Sequence, residues 1–162
     1  METVPPLVDE AMKKAAVAWI EVAGRPAFAV WCLWSDGALY VVSGPGEQPA
    51  PGLSDSKTVT VSARGDHGGR IVSWPATVRE LEPESADWAA VVPQLAAKRL
   101  NSPGTAEATA ARWAAECVVN RLVPAGAPEP LPDDSEAAPP VPSPATRLPR
   151  RPFRLHRVRN TR

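Results

Sequence analysis

Short strand-like segments joined by tight turns fill most of residues 16–81, and they limit the chain to an antiparallel β fold. Two apolar runs, 27–34 and 38–44, are separated by the turn sequence Ser-Asp-Gly, which is typical of a β-hairpin. In residues 57–64 valine alternates with threonine and serine, as expected for a strand with one buried face. We therefore predict a succession of antiparallel strands.

Helices are predicted at the start of the chain and before its last strand. Residues 7–16 place apolar side chains near one helical face after two prolines, which is a helix-start pattern. Ser85 and Thr105 each precede a segment of helical periodicity and are candidate N-caps. Pro93 lies within the first of these segments, where it should bend the helix. The β-branched segment 117–123 is predicted to be the final strand.

Small antiparallel sheets cannot leave both edges bare, and closure into a barrel is the common solution. The predicted strand at 70–81 contains Pro75, which cannot donate to a hydrogen-bond ladder, so we expect this strand at an edge or bulged at that residue. The predicted fold class is therefore mainly β with flanking helices, an antiparallel barrel within residues 1–124.

The last part of the chain differs from the rest in composition. Ten of the 20 prolines lie from Pro124 onward with only isolated apolar residues between them, so residues 125–162 are predicted to be a disordered Pro/Arg-rich tail. Residues 1–123 carry 11 basic and 14 acidic residues, whereas residues 124–162 carry seven arginines and four acids. The basic stretch Arg147–Arg162 could fold back on the acidic body, contact nucleic acid or a protein partner, or stay solvated.

Several classes of protein and site are disfavoured by the sequence. No apolar run reaches the roughly 18 residues that a membrane helix needs, and the N-terminus lacks the order of a signal peptide, so we expect a cytoplasmic protein without membrane contact. Cys32 and Cys117 lie in apolar segments and are expected to be buried thiols. His67 and His156 lack companions at ligand spacing, so no metal site is expected.

Four segments give the chain a resemblance to a known family. In order they are a β-hairpin, a loop and strand, a second strand with a helix, and a helix with a final strand: GRPAFAVWCLWSDGALYVVSG, GLSDSKTVTVSAR, GRIVSWPATVREL followed by SADWAAVVPQLAAKRLN, and RWAAECVVNRLVP. Over about residues 8–124 the chain resembles the pyridoxamine 5′-phosphate oxidase-like superfamily of flavin-binding split β-barrels, especially its small relatives from high-GC bacteria. The resemblance implies an antiparallel split β-barrel of the FMN-binding type. It also implies a homodimer with sites for FMN or a deazaflavin coenzyme in clefts between the subunits.

The resemblance also implies residues that hold the cofactor. In the family a strand arginine or lysine, with a Ser/Thr and a Lys/Arg after the third strand, holds the flavin phosphate, because charge-assisted hydrogen bonds suit a dianion. Here the loop that follows residues 40–42 offers Ser43, Gly44 and Gln48 as donors. Lys57 or Arg64, at the two ends of the next strand, is expected to supply the positive charge.

This chain departs from the family pattern in the same loop. Glu47 and Pro49 stand where a cation would help, and a carboxylate repels a phosphate. The loop is therefore either a ligand loop or a structural turn. Trp31, Trp34 and Trp74 are expected in the core or at a dimer interface, and if one of them contacts the cofactor, Trp74 is the candidate.

Two functions follow from these patterns. The first is a flavin- or deazaflavin-binding split barrel, an oxidoreductase of unknown substrate in which the coenzyme performs the hydride chemistry. The alternative is a non-catalytic split-barrel dimer whose basic tail binds a partner or nucleic acid. The segment Lys98–Gly104 has two corresponding interpretations, a cationic helix end followed by a stop, or an electropositive lip over the cleft.

Overall fold

The computed structural model describes residues 4–130. Within them the elements follow one another as α1 (Pro6–Lys14), β1 (Val17–Glu21), β2 (Phe28–Trp31), β3 (Leu33–Ser35), β4 (Ala38–Ser43), β5 (Thr58–Arg64), β6 (Arg70–Glu80), α2 (Ala86–Lys98), α3 (Ala106–Glu116) and β7 (Val118–Pro124). All strand pairs are antiparallel, and the predicted opening helix, helix pair and final strand are all present.

The sheet forms a nearly closed barrel, and one bent segment joins its two edge strands. Its strand order is β2-β1-β5-β6-β7-β4-β3, and the two outermost strands, β2 and β3, are separated in the chain by Cys32 alone. The Cys32 N–H donates to the carbonyl oxygen of Ala16 at 3.2 Å, which holds the bend. The sequence predicted one strand here. The structure divides it because its first half pairs with β1 and its second half with β4.

The burial pattern of each strand depends on whether one or both of its faces are covered by other parts of the protein. β1 and β5 alternate buried inward residues with exposed or half-buried outward ones. Every residue of β4 before Ser43 is buried, because Leu39 and Val41 face the interior while Tyr40 and Val42 lie under the helices. A continuous apolar run is the sequence signature of a strand covered on both faces.

The two ends of the barrel are filled by different segments. Val8 and Met12 of α1 belong to the interior cluster, and α1 lies near the turn that precedes β4, where Val4 contacts Gly37. Beyond the far end of β4, Leu53 is fully buried in the same cluster. Next to it the Ser54 hydroxyl accepts a hydrogen bond of 3.0 Å from the Asn120 amide. The second half of the loop after β4 therefore plugs the barrel.

The helix pair covers the outer face of β3, β4 and β7. Trp88, Val92 and Leu95 of α2 and Trp113 of α3 pack with outward residues of these strands in a second apolar cluster. Both predicted N-caps are present: the Ser85 hydroxyl accepts from the Trp88 N–H, and the Thr105 hydroxyl accepts from the Ala108 N–H. α2 continues through Pro93.

Pro75 occupies a different position from the one expected. β6 lies inside the sheet between β5 and β7, and the register shift falls between Ala63 and Arg64 rather than at Pro75. Pairing with β7 begins only at Ala76, so Pro75 has a strand neighbour on one side, opposite Thr60. Because β7 ends before it reaches Pro75, the missing N–H of the proline removes no β6–β7 ladder bond.

The described chain continues a few residues beyond β7. The Ala125 N–H donates to the Pro75 carbonyl and the Glu129 N–H to the Ser73 carbonyl. Residues 131–162, and with them the predicted contacts of Arg147–Arg162, lie outside the described part, so the division into a barrel domain and a disordered tail stays a prediction. No helix within residues 4–130 is long and apolar enough to cross a membrane.

Candidate functional site

An open cleft lies where the start of β1, the end of β2 and the end of α2 meet the loop after β4. Its volume is about 580 Å³, within the range of sites for small ligands. Nine residues line it: Ala16, Val17, Trp31, Gly46, Glu47, Gln48, Lys98, Arg99 and Leu100. We call it the Trp31 cleft. Val17 is 47% exposed and Leu100 is 83% exposed, so the protein presents apolar surface there without a cover.

Gln48 fixes the aromatic wall of the cleft. Its side-chain oxygen accepts from the Trp31 N–H at 2.7 Å, and its amide nitrogen donates to the Trp31 carbonyl at 2.8 Å and to the Val42 carbonyl at 3.1 Å. The Trp31 ring lies 6.3 Å from that of Trp113 at an angle of 40°. Since its backbone and ring are both held, Trp31 is a preorganised apolar surface.

Glu47 lies between the cleft and the helix pair, with its side chain only 1% exposed. The Arg99 Nε donates to both carboxylate oxygens, at 2.9 and 3.0 Å, and an Arg112 guanidinium nitrogen donates to Oε1. The Trp113 indole N–H donates to the same oxygen at 2.9 Å. Glu47, Arg99, Arg112 and Trp113 are referred to below as the Glu47 network.

The Glu47 network keeps the carboxylate ionised despite its burial. Burial alone would raise the pKa of Glu47, but hydrogen bonds from Trp113, Arg112 and Arg99 outweigh it and hold the pKa below its ordinary value of 4.5. In turn, the bond to Glu47 raises the pKa of Arg112. The expected repulsion between Glu47 and an anion is thus compensated by two guanidinium groups.

The loop turns its acceptors, not its donors, toward these cations. Besides the Glu47 carboxylate, the Gly46 carbonyl accepts from Arg99 at 3.1 Å, and the Pro45 carbonyl accepts from Arg112 at 2.9 Å. A phosphate loop does the reverse and presents N–H groups to its ligand. Pro45, Gly46 and Glu47 therefore do not form a phosphate-binding arrangement of this kind.

The sequence-predicted site residues lie in several places. Ser43 and Gly44 line a second hollow of about 410 Å³ with Pro49 and Val118. A Cβ at Gly44, whose φ is +139°, would lie 3.0 Å from the Cys117 backbone. Gln48 lines the Trp31 cleft, with its amide engaged as described above.

Lys57 and Arg64, the two residues predicted to supply the positive charge, lie at opposite ends of β5. Lys57 is exposed just before β5. The Arg64 guanidinium lies 4.1 Å from the centre of the Trp19 ring. Arg64 pairs with Arg70 at the start of β6, whereas the loop after Ser43 begins beyond the Glu80 end of that strand. Within one chain Arg64 therefore lies away from the loop.

Trp74 is fully buried in the barrel interior, where its ring meets Trp34 edge-on at 5.9 Å. Its indole nitrogen has no hydrogen-bond partner among the described residues. Trp74 lines neither hollow. The tryptophan at the cleft is Trp31, which was expected in the core or at a dimer interface and not as the cofactor contact.

The end of α2 supplies the open side of the cleft. Lys98 is exposed and forms no ion pair with any residue of the range 4–130. Arg99, by contrast, is held by Glu47. Of the two interpretations of Lys98–Gly104, the structure shows the segment as both a helix end and one side of the cleft.

Solved structures give the comparison that decides the fold. HutZ, the haem storage protein from Vibrio cholerae, is similar with a TM-score of 0.56 at 13% sequence identity, over 79% of this chain and 94% of its own. An F420 reductase is similar with a TM-score of 0.50 at 14% identity, over 76% of this chain and 97% of that one. A candidate pyridoxamine 5′-phosphate oxidase from Listeria innocua gives 0.49 at 16% identity, over 71% and 88%. The chain is a split β-barrel.

This finding confirms the predicted fold class, an antiparallel split β-barrel with flanking helices. At these identities the likeness shows the fold of the split barrel and not its ligand. No protein-family model matches the sequence, and no curated protein matches it.

The other chemistry-bearing groups of the split barrel lie apart from the cleft lining. Cys32 and Cys117 are free thiols, and burial raises the pKa of Cys32 to about 11. His67 is exposed in the turn between β5 and β6. Among the described residues, no group of three or more His, Cys, Asp or Glu side chains is arranged to hold a metal ion.

Proposed function

We propose that this split barrel binds the tricyclic ring of a flavin or deazaflavin coenzyme in the Trp31 cleft and acts as an oxidoreductase. The observation that carries the proposal is the cleft itself, an exposed apolar hollow of about 580 Å³ beside a tryptophan whose backbone is held at both polar atoms by Gln48. A rigid aromatic wall favours a planar ring. The fold is shared with an F420 reductase, which supports the same class of ligand.

The residues of the chain would bind the ring, and the coenzyme would supply the hydride chemistry. Trp31, Val17 and Leu100 offer apolar contact, and the exposed Lys98 is a hydrogen-bond donor for carbonyl oxygens at the polar edge of the ring. We propose further that two copies of the chain form a homodimer that covers the exposed apolar residues of the cleft, as the family resemblance implies.

Haem is not supported as the ligand of this cleft. Haem iron is held by a His, Cys, Met or Tyr side chain, and none of the nine residues that line the cleft is of these types. The alternative of a non-catalytic dimer with a partner-binding tail depends on residues outside the described part, and no described contact favours it.

The proposal is tested by titrating the purified protein with FMN at micromolar concentration and following the quenching of flavin fluorescence. We expect Trp31→Ala to weaken binding by about fivefold, because an aromatic contact contributes on the order of 1 kcal/mol. Leu100→Ala should also weaken binding, whereas Leu7→Ala, at an exposed leucine of α1 outside the cleft (53% exposed), should not. A colourless protein that quenches neither FMN nor a deazaflavin would contradict the proposal.

A further inference from the structure

The Glu47 network already contains what an anion-binding site would need. Two guanidinium groups and an indole N–H converge on one point, which is the arrangement that recognises a carboxylate or a phosphate. The Arg99 and Arg112 side chains are 19% and 29% exposed, so they lie near the surface beside the cleft. The point of convergence is occupied by the protein's own carboxylate.

The donors of the two guanidinium groups are largely used by the chain itself. Arg99 donates to Glu47, to the Gly46 carbonyl and to the Leu100 carbonyl at 2.6 Å. Arg112 donates to Glu47 and to the Pro45 carbonyl. An incoming phosphate would have to displace a carboxylate that is 1% exposed and holds both arginines.

We propose that Glu47 determines ligand specificity by occupying the anion site beside the Trp31 cleft, so that the cleft binds flavins without selecting for a terminal phosphate. This inference rests on the proposed function. The ligand expected in the cleft is riboflavin, the neutral flavin that carries no phosphate. Riboflavin should bind about as tightly as FMN, its phosphate ester. Glu47 contacts Arg99, Arg112 and Trp113, which belong to the helix pair and its end. If the charge of Glu47 is removed, the two arginines become free to bind an anion.

The first test compares riboflavin with FMN on the native protein at low salt, where a phosphate contact would be strongest. We expect dissociation constants within about threefold of each other, since no cation of the Glu47 network is free for the phosphate. A preference for FMN of about tenfold or more that disappears in high salt would overturn the inference. This comparison needs no variant.

The second test uses Glu47→Gln. We expect this variant to bind FMN at least about tenfold more tightly than riboflavin, because a phosphate can then take the charge-assisted hydrogen bonds of both arginines. The matched control is Glu10→Gln, which removes the same charge from an exposed pair with Lys14 on α1 and should leave the ratio of the two constants at its native value. An unchanged ratio in a folded Glu47→Gln protein would overturn the inference.

A third measurement separates this inference from the proposed function. Inorganic phosphate is added without flavin, and the melting temperature is followed for the native protein and for Glu47→Gln. We expect phosphate to stabilise the variant and not the native protein. If no flavin binds but this pattern appears, the proposed function fails and the occupied anion site stands. If phosphate stabilises the native protein as much as the variant, the inference is wrong whether or not flavin binds.

Discussion

At the scale of single residues, Glu47 shows how a sequence feature can be misleading until its partners are known. The loop sequence places a carboxylate where the family resemblance implies a cation, and the structure neutralises it with arginines that follow 52 and 65 residues later. The buried ion cluster is stable only while all its members are present, because removing one leaves the others uncompensated.

The Glu47 network predicts a defined acid sensitivity. Because the folded pKa of Glu47 lies below its ordinary value of 4.5, its stabilisation is complete above that pH and is lost as the pH falls through the folded pKa. We expect Glu47→Gln to lower the free energy of unfolding by about 2 kcal/mol near neutral pH. The difference in the free energy of unfolding between the native protein and Glu47→Gln should become smaller in acid. Urea unfolding at a series of pH values measures it, and a gap that widens below pH 4.5 would contradict the assignment.

At the scale of elements, the loop between β4 and β5 has two structural roles. Its first half, through Glu47 and Gln48, joins the cleft wall to the helix pair. Its second half closes the barrel with Leu53, which is fully buried in the interior cluster. The loop therefore does more than connect two strands.

A matched pair of leucine substitutions tests the role of the loop as a plug. Leu53→Ala should destabilise the protein by about 2–5 kcal/mol, since it removes a buried side chain and leaves a cavity. Leu100→Ala, at a leucine that is 83% exposed, should change stability by less than about 0.5 kcal/mol. Thermal or urea unfolding gives both values. Equal effects of the two substitutions would show that Leu53 does not fill the barrel in solution.

At the scale of the whole molecule, the barrel is covered unevenly. α2 and α3 bury the outer face of β3, β4 and β7, whereas the outward residues of β1 and β5 remain exposed or half-buried. Val17, which also lines the Trp31 cleft, belongs to this second face. Exposed apolar residues at such a face favour contact with another protein surface, and the proposed homodimer provides one.

The proposed dimer is tested by its mass. We expect light scattering on a size-exclusion column to give twice the 17.2 kDa of one chain. Val17→Asp should shift the distribution toward single chains, while Leu7→Asp, at a comparably exposed residue of α1, should not. A mass of one chain at the highest attainable concentration would remove the dimer and any cleft wall that it contributes.

Local patterns predicted most of the fold. Alternation in β5 and the Ser-Asp-Gly turn before β4 specify strands within a few residues. Asp36 and Gly37 do adopt the positive φ values, 48° and 73°, that this turn needs. The cleft could not be predicted in the same way. Trp31 is fixed by Gln48, 17 residues away, and the other side of the cleft comes from the end of α2, so no local spacing signals that they meet.

The bend at Cys32 has a consequence for how the chain tolerates length changes. Since β2 and β3 are the two edges of the sheet and a single residue joins them, an insertion there would slip β3 by one position against β4 and turn its side chains to the opposite face. The hairpin at residues 65–69, which is exposed apart from a half-buried Gly65, could grow by several residues without moving any strand. Evolutionary or engineered additions to this protein are therefore expected in that hairpin and not at the junction that seals the barrel.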